Sequence, residues 1–177
     1  MIKEWCQRLC RRRKPPRPIS PSANLDLPAL RARFSEEFAQ ANDEASTSLQ
    51  ELGNEFIRRL GRYGSSTLLG LIWFTLQEDG TQAKFINKTL SSNEIQTIEQ
   101  QHRPMIEGLE LGELGDALSR SHVMYMAYSN EQAQAAVAVD IRCMAKEILK
   151  RLGGDMDFLK NLILVVDKDI LAYLSKN

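Results

Sequence analysis

Residues 27–63 read LPALRARFSEEFAQANDEASTSLQELGNEFIRRLGRY. Apolar side chains fall at Leu27, Leu30, Phe34, Phe38, Ala41, Ala45, Leu49, Leu52, Phe56, Leu60 and Tyr63. The steps between them run 3, 4, 4, 3, 4, 4, 3, 4, 4, 3. This is an 11-residue repeat, about 3.67 residues per turn, and it holds one apolar stripe on one side of a nearly straight helix. Unbroken, the helix would be about 55 Å long at roughly 1.5 Å per residue. Asp26 stands ahead of it as an N-cap, with Pro28 in the first turn, where a missing N–H costs nothing. Asn42-Asp43 is the weak point, because both side chains compete for the backbone as caps. Arg58, Arg59 and Arg62 suit the negative end of the helix dipole, and Gly61 and Gly64 mark the exit.

The same periodicity continues outward toward the C-terminus. Ser65 or Ser66 can cap a helix over Thr67–Glu78 whose centre, LLGLIWFTL, is apolar all round and so belongs in the interior. Thr81 to Leu90 reads as a short helix. Ser91 with Glu94 is a capping box that opens a helix carrying Ile95, Ile98, His102, Met105 and Ile106 on one face, and Pro104 should kink or end it. Residues 107–115 are a glycine-punctuated connection. Asp116 can cap a helix to about Tyr128, and Ser129 with Gln132 a helix to Leu152 that buries Ala133, Ala136, Val137, Ile141, Met144 and Ile148. Asp155 caps the last one. Leu162–Val166 alone could pass for a strand, but helical spacing flanks it and no alternating pattern occurs elsewhere. The expected fold is all-α: a six- to seven-helix bundle with one long N-terminal helix and a flexible basic arm.

The arm differs in charge from everything after it. Residues 1–18 hold seven basic side chains and one acid, whereas the remaining residues hold 16 basic and 22 acidic, so a net charge of zero splits into +6 and −6. A split of this kind bears on partners rather than on fold. Ile2, Trp5, Cys6, Leu9 and Cys10 share one stripe of a short helix, and Arg8, Arg11, Arg12, Arg13 and Lys14 fill the other side and the end. Pro15, Pro16 and Pro18 stop that helix and make an extended linker. The expected organisation is an arm and Pro-rich linker over 1–25 and a helical domain over 26–177. Three cysteines (Cys6, Cys10 and Cys143) do not make a disulfide framework. The apolar run Leu68–Leu76 is too short to span a bilayer, and prolines stand where a secretory signal needs its apolar region. The expected location is the cytoplasm, with peripheral attachment to a membrane as its extension.

Trp5 and Leu9 suit insertion at an interface, the arginines suit anionic headgroups, and Cys6 and Cys10 stand where S-acylation is chemically feasible. A solvated basic tail, or one folded back on the acidic body, competes with that reading. Nucleic acid is disfavoured, because the body is acidic. Glu99-x-x-His102 has the spacing of a metal-binding motif, but His122 is the only other histidine and lacks the second half. Gly61-Arg62-Tyr63-Gly64-Ser65-Ser66-Thr67 superficially matches a phosphate loop without its lysine or its strand, and helix stop followed by helix cap explains it. Cys143 reads as a structural thiol, and Met124, Tyr125, Met126 and Tyr128 as packing. The stripe at Phe34, Phe38, Ala41, Ala45, Leu49 and Leu52 can serve as a surface for a partner helix or a homodimer seam, or else pack on its own bundle, split near Asn42. No cofactor is called for. The expected function is a non-enzymatic interaction or adaptor module steered by its arm to a membrane or an acidic partner. The alternatives are an exported effector or regulator with the arm as its address, and a helical enzyme around Glu99, His102 and His122.

Overall fold

The computed structural model describes residues 21–41 and 46–174, and within them there are eight α-helices and no strand. After a single 3-10 turn at Pro21–Asn24 come α1 (Leu27–Gln40), α2 (Thr47–Arg59), α3 (Ser66–Leu76) and α4 (Thr81–Thr89). They are followed by α5 (Ser92–Gly108), α6 (Leu111–Ala127), α7 (Glu131–Arg151) and α8 (Met156–Leu174). The fold is all-α, as the spacing predicts, but the long N-terminal helix is two helices, and that split makes the count eight rather than six or seven. α1 ends at Gln40, one residue before Ala41 turns extended, and α2 restarts behind Ser46, whose Oγ accepts from the Leu49 amide at 3.1 Å. Asn42 and Asp43 lie outside the described residues.

The physical reason for the split is burial. A straight helix of that length would leave its stripe bare, whereas folding α1 back on α2 turns both halves inward. Phe34 of α1, Phe56 of α2 and Phe158 of α8 then meet edge to face, with ring centroids 5.4–5.9 Å apart. Leu30, Leu49, Leu52 and Leu60 of the same stripe are also fully buried. Each such aromatic pair adds about 0.5–1.5 kcal/mol beyond its buried area.

α7 is the hub. It packs against α3, α4, α5 and α6, while α8 covers α2 and α3. Its buried positions include Ala135, Ala138, Val139, Ile141, Met144, Ala145 and Ile148. The sequence reading placed Ala133, Ala136 and Val137 inside, but these are only half-buried. A helix touched on several sides buries a wider arc than one amphipathic stripe describes. α3, apolar all round, is buried through Leu68, Leu69, Gly70, Leu71 and Ile72 as expected. Other boundaries move. Pro104 neither ends α5 nor lies at its end, because α5 continues to Gly108. α6 starts at Leu111, capped by Glu110 with Glu113, and Asp116 instead accepts from the Tyr63 amide at 3.0 Å. α7 is capped by Asn130, whose side chain accepts from Ala133, and not by Ser129.

Two close joints set the geometry. The backbone of Gly61 is left-handed (φ 89°), and a Cβ there would lie 2.1 Å from the Gly112 carbonyl oxygen. A Cβ on Gly115 would lie 2.0 Å from the Leu60 carbonyl oxygen. Only glycine permits this approach of α6 to the end of α2. Residues 21–25, which the sequence reading places in the linker, are docked on α2. Arg59 donates to the carbonyls of Ala23 and Leu25, and its Nε donates to Glu55 Oε1 at 2.8 Å. Arg151 repeats the device. Its Nε binds Glu147 at 2.8 Å, and its other nitrogens donate to the carbonyls of Ile106, Glu107 and Leu109, closing the end of α5.

Burial pushes the Glu55 carboxyl up, but hydrogen bonds from Arg58 and Arg59 together outweigh it and hold the group below its ordinary value. A carboxyl depressed in the folded state stabilises the fold above its unfolded value, about 4.3, and that contribution is lost as pH falls through the folded value. Glu55→Gln is therefore expected to lower unfolding free energy by ~1–3 kcal/mol at pH 7, with the gap to wild type closing below about pH 4, as read by urea titrations at several pH values. Phe56→Ala should cost about 3–5 kcal/mol, and Phe38→Ala, on a half-buried ring, clearly less in the same assay.

Candidate functional site

The arm residues singled out by sequence (Trp5, Cys6, Arg8, Leu9, Cys10, Arg11, Arg12, Arg13 and Lys14) lie outside the described residues. Of the proposed partner-helix stripe, Phe34, Leu49 and Leu52 are each 1% exposed and belong to the core. Phe38 is half-buried, Ala41 is exposed and Ala45 lies outside the described residues. The stripe therefore faces the chain's own bundle. The apolar residues that do reach the surface in a group are on α6. Val123 (54% exposed), Met124 (49%), Ala127 and Tyr128 follow i, i+1, i+4, i+5 spacing and share one outward face.

The histidines have separate partners. His102 of α5 contacts Asp140 of α7 through Nδ1 and Oδ1. Among the described residues this is the one contact between a basic side chain and a carboxylate that joins two helices, and the ion pairs of lysine and arginine are internal to a helix. Burial raises the Asp140 carboxyl, and His102 opposes that shift. His122 is buried on α6 and stacks on Tyr125 at 6.3 Å, and burial lowers its pKa, which favours the neutral ring. Cys143, one turn from Asp140, is pushed up to about 11, by burial first and then by Glu99 and Asp140 against Lys146 and Arg103. A thiol in that state is protonated at neutral pH and is a poor nucleophile. Among the described residues no group of three or more His, Cys, Asp or Glu is placed to hold a metal ion. Glu99-x-x-His102 thus has His102 turned to Asp140, in an arrangement that fastens α5 to α7.

The glycine-serine run at 61–67 is a helix start, not an anion cradle. Ser65 Oγ accepts from the Leu68 amide at 3.1 Å, and Ser66 Oγ donates to Asp167 Oδ2 at 3.0 Å. A carboxylate already sits at that positive helix end, where a phosphate would have to bind. Asp167 itself breaks the helical backbone of α8 (φ −166°, ψ 83°).

Two open hollows flank the first turn of α8. The larger, about 570 Å³, lies between α3, the α3–α4 turn and α8, with Trp73, Leu76 and Met156 as its apolar floor and Glu78 and Asp79 on its rim. The smaller, about 350 Å³, lies between α1 and α8, with Phe38, Phe158 and Arg31, and has Asp155 and Asp157 on its rim. The Arg31 guanidinium stands over the Phe158 ring at 5.3 Å. Asp155 Oδ1 caps α8 by accepting from the Phe158 amide at 2.9 Å. Among the described residues no lysine or arginine forms an ion pair with Glu78, Asp79, Asp155 or Asp157. Sequence reasoning missed these hollows, because they join residues 73–80 to residues near 156. It also missed the Arg59 and Arg151 staples, whose visible trace is glutamate four residues ahead of arginine at the end of two helices.

No protein-family model, curated protein or solved structure matches the chain. Among the described residues no helix is long and apolar enough to cross a membrane.

Alkylation of the native chain at pH 8 should leave Cys143 unmodified, and unfolding in urea should expose it to reagent. Mass spectrometry of the peptide carrying residue 143 reads both states.

Proposed function

We propose that this chain is a non-enzymatic helical interaction module, steered to an anionic surface by its basic N-terminal arm. The observation that carries the reading is the charge split: seven basic residues and one acid in the first 18 positions, ahead of a body with six more acids than bases. Arg8, Arg11, Arg12, Arg13 and Lys14 provide long-range attraction, which decays within roughly 10 Å at 0.1 M salt. Trp5, Leu9 and the two cysteines share the apolar stripe of the same segment and provide short-range contact. An acidic body is repelled by the surface that the arm seeks, so the domain is held off and its outward faces remain free for a protein partner. The grouped exposure of Val123, Met124 and Tyr128 on α6 supports such a contact, because apolar side chains exposed together on one face favour association.

The test uses the full chain with Arg8, Arg11, Arg12 and Arg13 replaced by glutamine. Each basic residue near an acidic leaflet contributes about 1 kcal/mol. Co-sedimentation with phosphatidylserine-containing vesicles should therefore weaken by roughly two orders of magnitude or more at low salt. Binding of the wild type should fall steeply as salt rises. Equal binding by both proteins, or equal binding of the wild type to zwitterionic vesicles, would reject the steering role.

A further inference from the structure

We infer that the cleft between α3 and the first turn of α8 is the docking site of the chain's own basic arm, so that the arm is held in cis until an anionic surface competes for it. This rests on the arm reading above and adds its regulation. The cleft has the chemistry that the arm lacks. Trp73, Leu76 and Met156 offer an apolar floor, and Glu78 and Asp79 offer exposed carboxylates at its edge. The arm offers the complement: Ile2, Trp5 and Leu9 along one stripe and a run of arginines beside it. A basic amphipathic segment in an acid-edged apolar groove is a recurring recognition mode. The rim acids form no ion pair with a described basic residue, so an incoming arginine displaces no existing partner. No lysine or arginine lines the cleft among the described residues, and Arg31, in the neighbouring hollow, is already occupied over Phe158.

The chain leaves the described body at a place that permits this. Pro21–Asn24 is held on α2 beside the start of α1, and Arg31, five residues beyond the Asp26 cap, touches Phe158 in the first turn of α8. That is about 8 Å along α1, followed by about 10 Å across the width of a helix to the cleft. A proline-rich chain of the length of residues 14–21 has a reach of about 22 Å at ~3.1 Å per residue. The tether is long enough for intramolecular docking.

The test uses the full-length chain at low micromolar concentration and follows tryptic cleavage after Arg8 and Arg11–Arg13 by mass spectrometry. The arm of the wild type should be cleaved severalfold more slowly than that of the double variant Glu78→Gln, Asp79→Asn. A control that removes equal charge elsewhere (Glu51→Gln, Glu107→Gln) should keep the slow rate. All replacements are at exposed positions, and thermal midpoints verify that each variant is folded. Equal rates for wild type and cleft variant overturn the proposal, as does acceleration in the control, which would mean a diffuse field and not a site. Protection that disappears on dilution would place the arm on a second copy and also overturn docking in cis. Vesicle sedimentation of the two double variants separates this inference from the steering role. Tighter binding by the cleft variant supports competition for the arm. Equal vesicle binding with equal cleavage removes the docking and leaves the steering. A contrast in cleavage without any vesicle binding removes the steering and leaves the docking.

Discussion

The structure depends on one helix having little bulk where its neighbours cross it. α7 meets α3, α4, α5 and α6, and its contact positions include Ala135, Ala138 and Ala145, all fully buried. A methyl side chain keeps helix axes near the lower end of the usual 8–10 Å separation. Four helices can then share one hub without voids between them. Larger side chains at Ile141, Met144 and Ile148 fill the wider end toward α3, where the main core lies. Toward α4 the packing is thinner. Ile86 and Leu90 close on Ala135, Ala138 and Val139 as a separate small cluster. The bundle thus has a strong end, built on phenylalanine and leucine, and a light end, built on alanine and isoleucine.

Polar groups fasten what the apolar core leaves loose. α5 buries only Ile106 completely, yet it is held at both ends and in the middle. Its start has the Ser91–Glu94 capping box with Gln132 of α7 alongside, its middle has His102 on Asp140, and its end has Arg151 on three carbonyls. The Glu55–Arg59 pair does the same for the turn ahead of α1. In both staples a glutamate fixes the arginine on its own helix, so less side-chain entropy is lost when the fork reaches a distant carbonyl. The contact with Asp140 accounts for His102, one of the residues named for the enzyme alternative, without assigning it chemistry.

Helical identity was legible in the sequence because period and caps are local. Asp26, Ser65, Ser91 and Asp155 cap as their spacing predicts. The single long helix was the main error. An 11-residue repeat looks the same in a straight helix and in two helices folded on each other, since the stripe faces inward in both. What separates them is whether anything covers the stripe, and that depends on α8, about a hundred residues later. The His102–Asp140 pair, the Arg151 staple and the acid-edged cleft escaped for the same reason: each joins segments more than 35 residues apart and leaves no period behind. Of the hendecad stripe, open between a partner surface and packing on its own bundle, Phe34, Leu49 and Leu52 are interior. The surface apolar group on α6 came from the Met/Tyr run that the sequence assigned to packing.

The glycine joint between α2 and α6 has a mechanical meaning. Side chains ordinarily act as padding that lets one helix shift a little against another. Where Gly61 and Gly115 set main chain against main chain there is no padding. The turn that closes α2 therefore bears directly on the first turns of α6, and the same helix carries Val123 and Met124 outward near its other end.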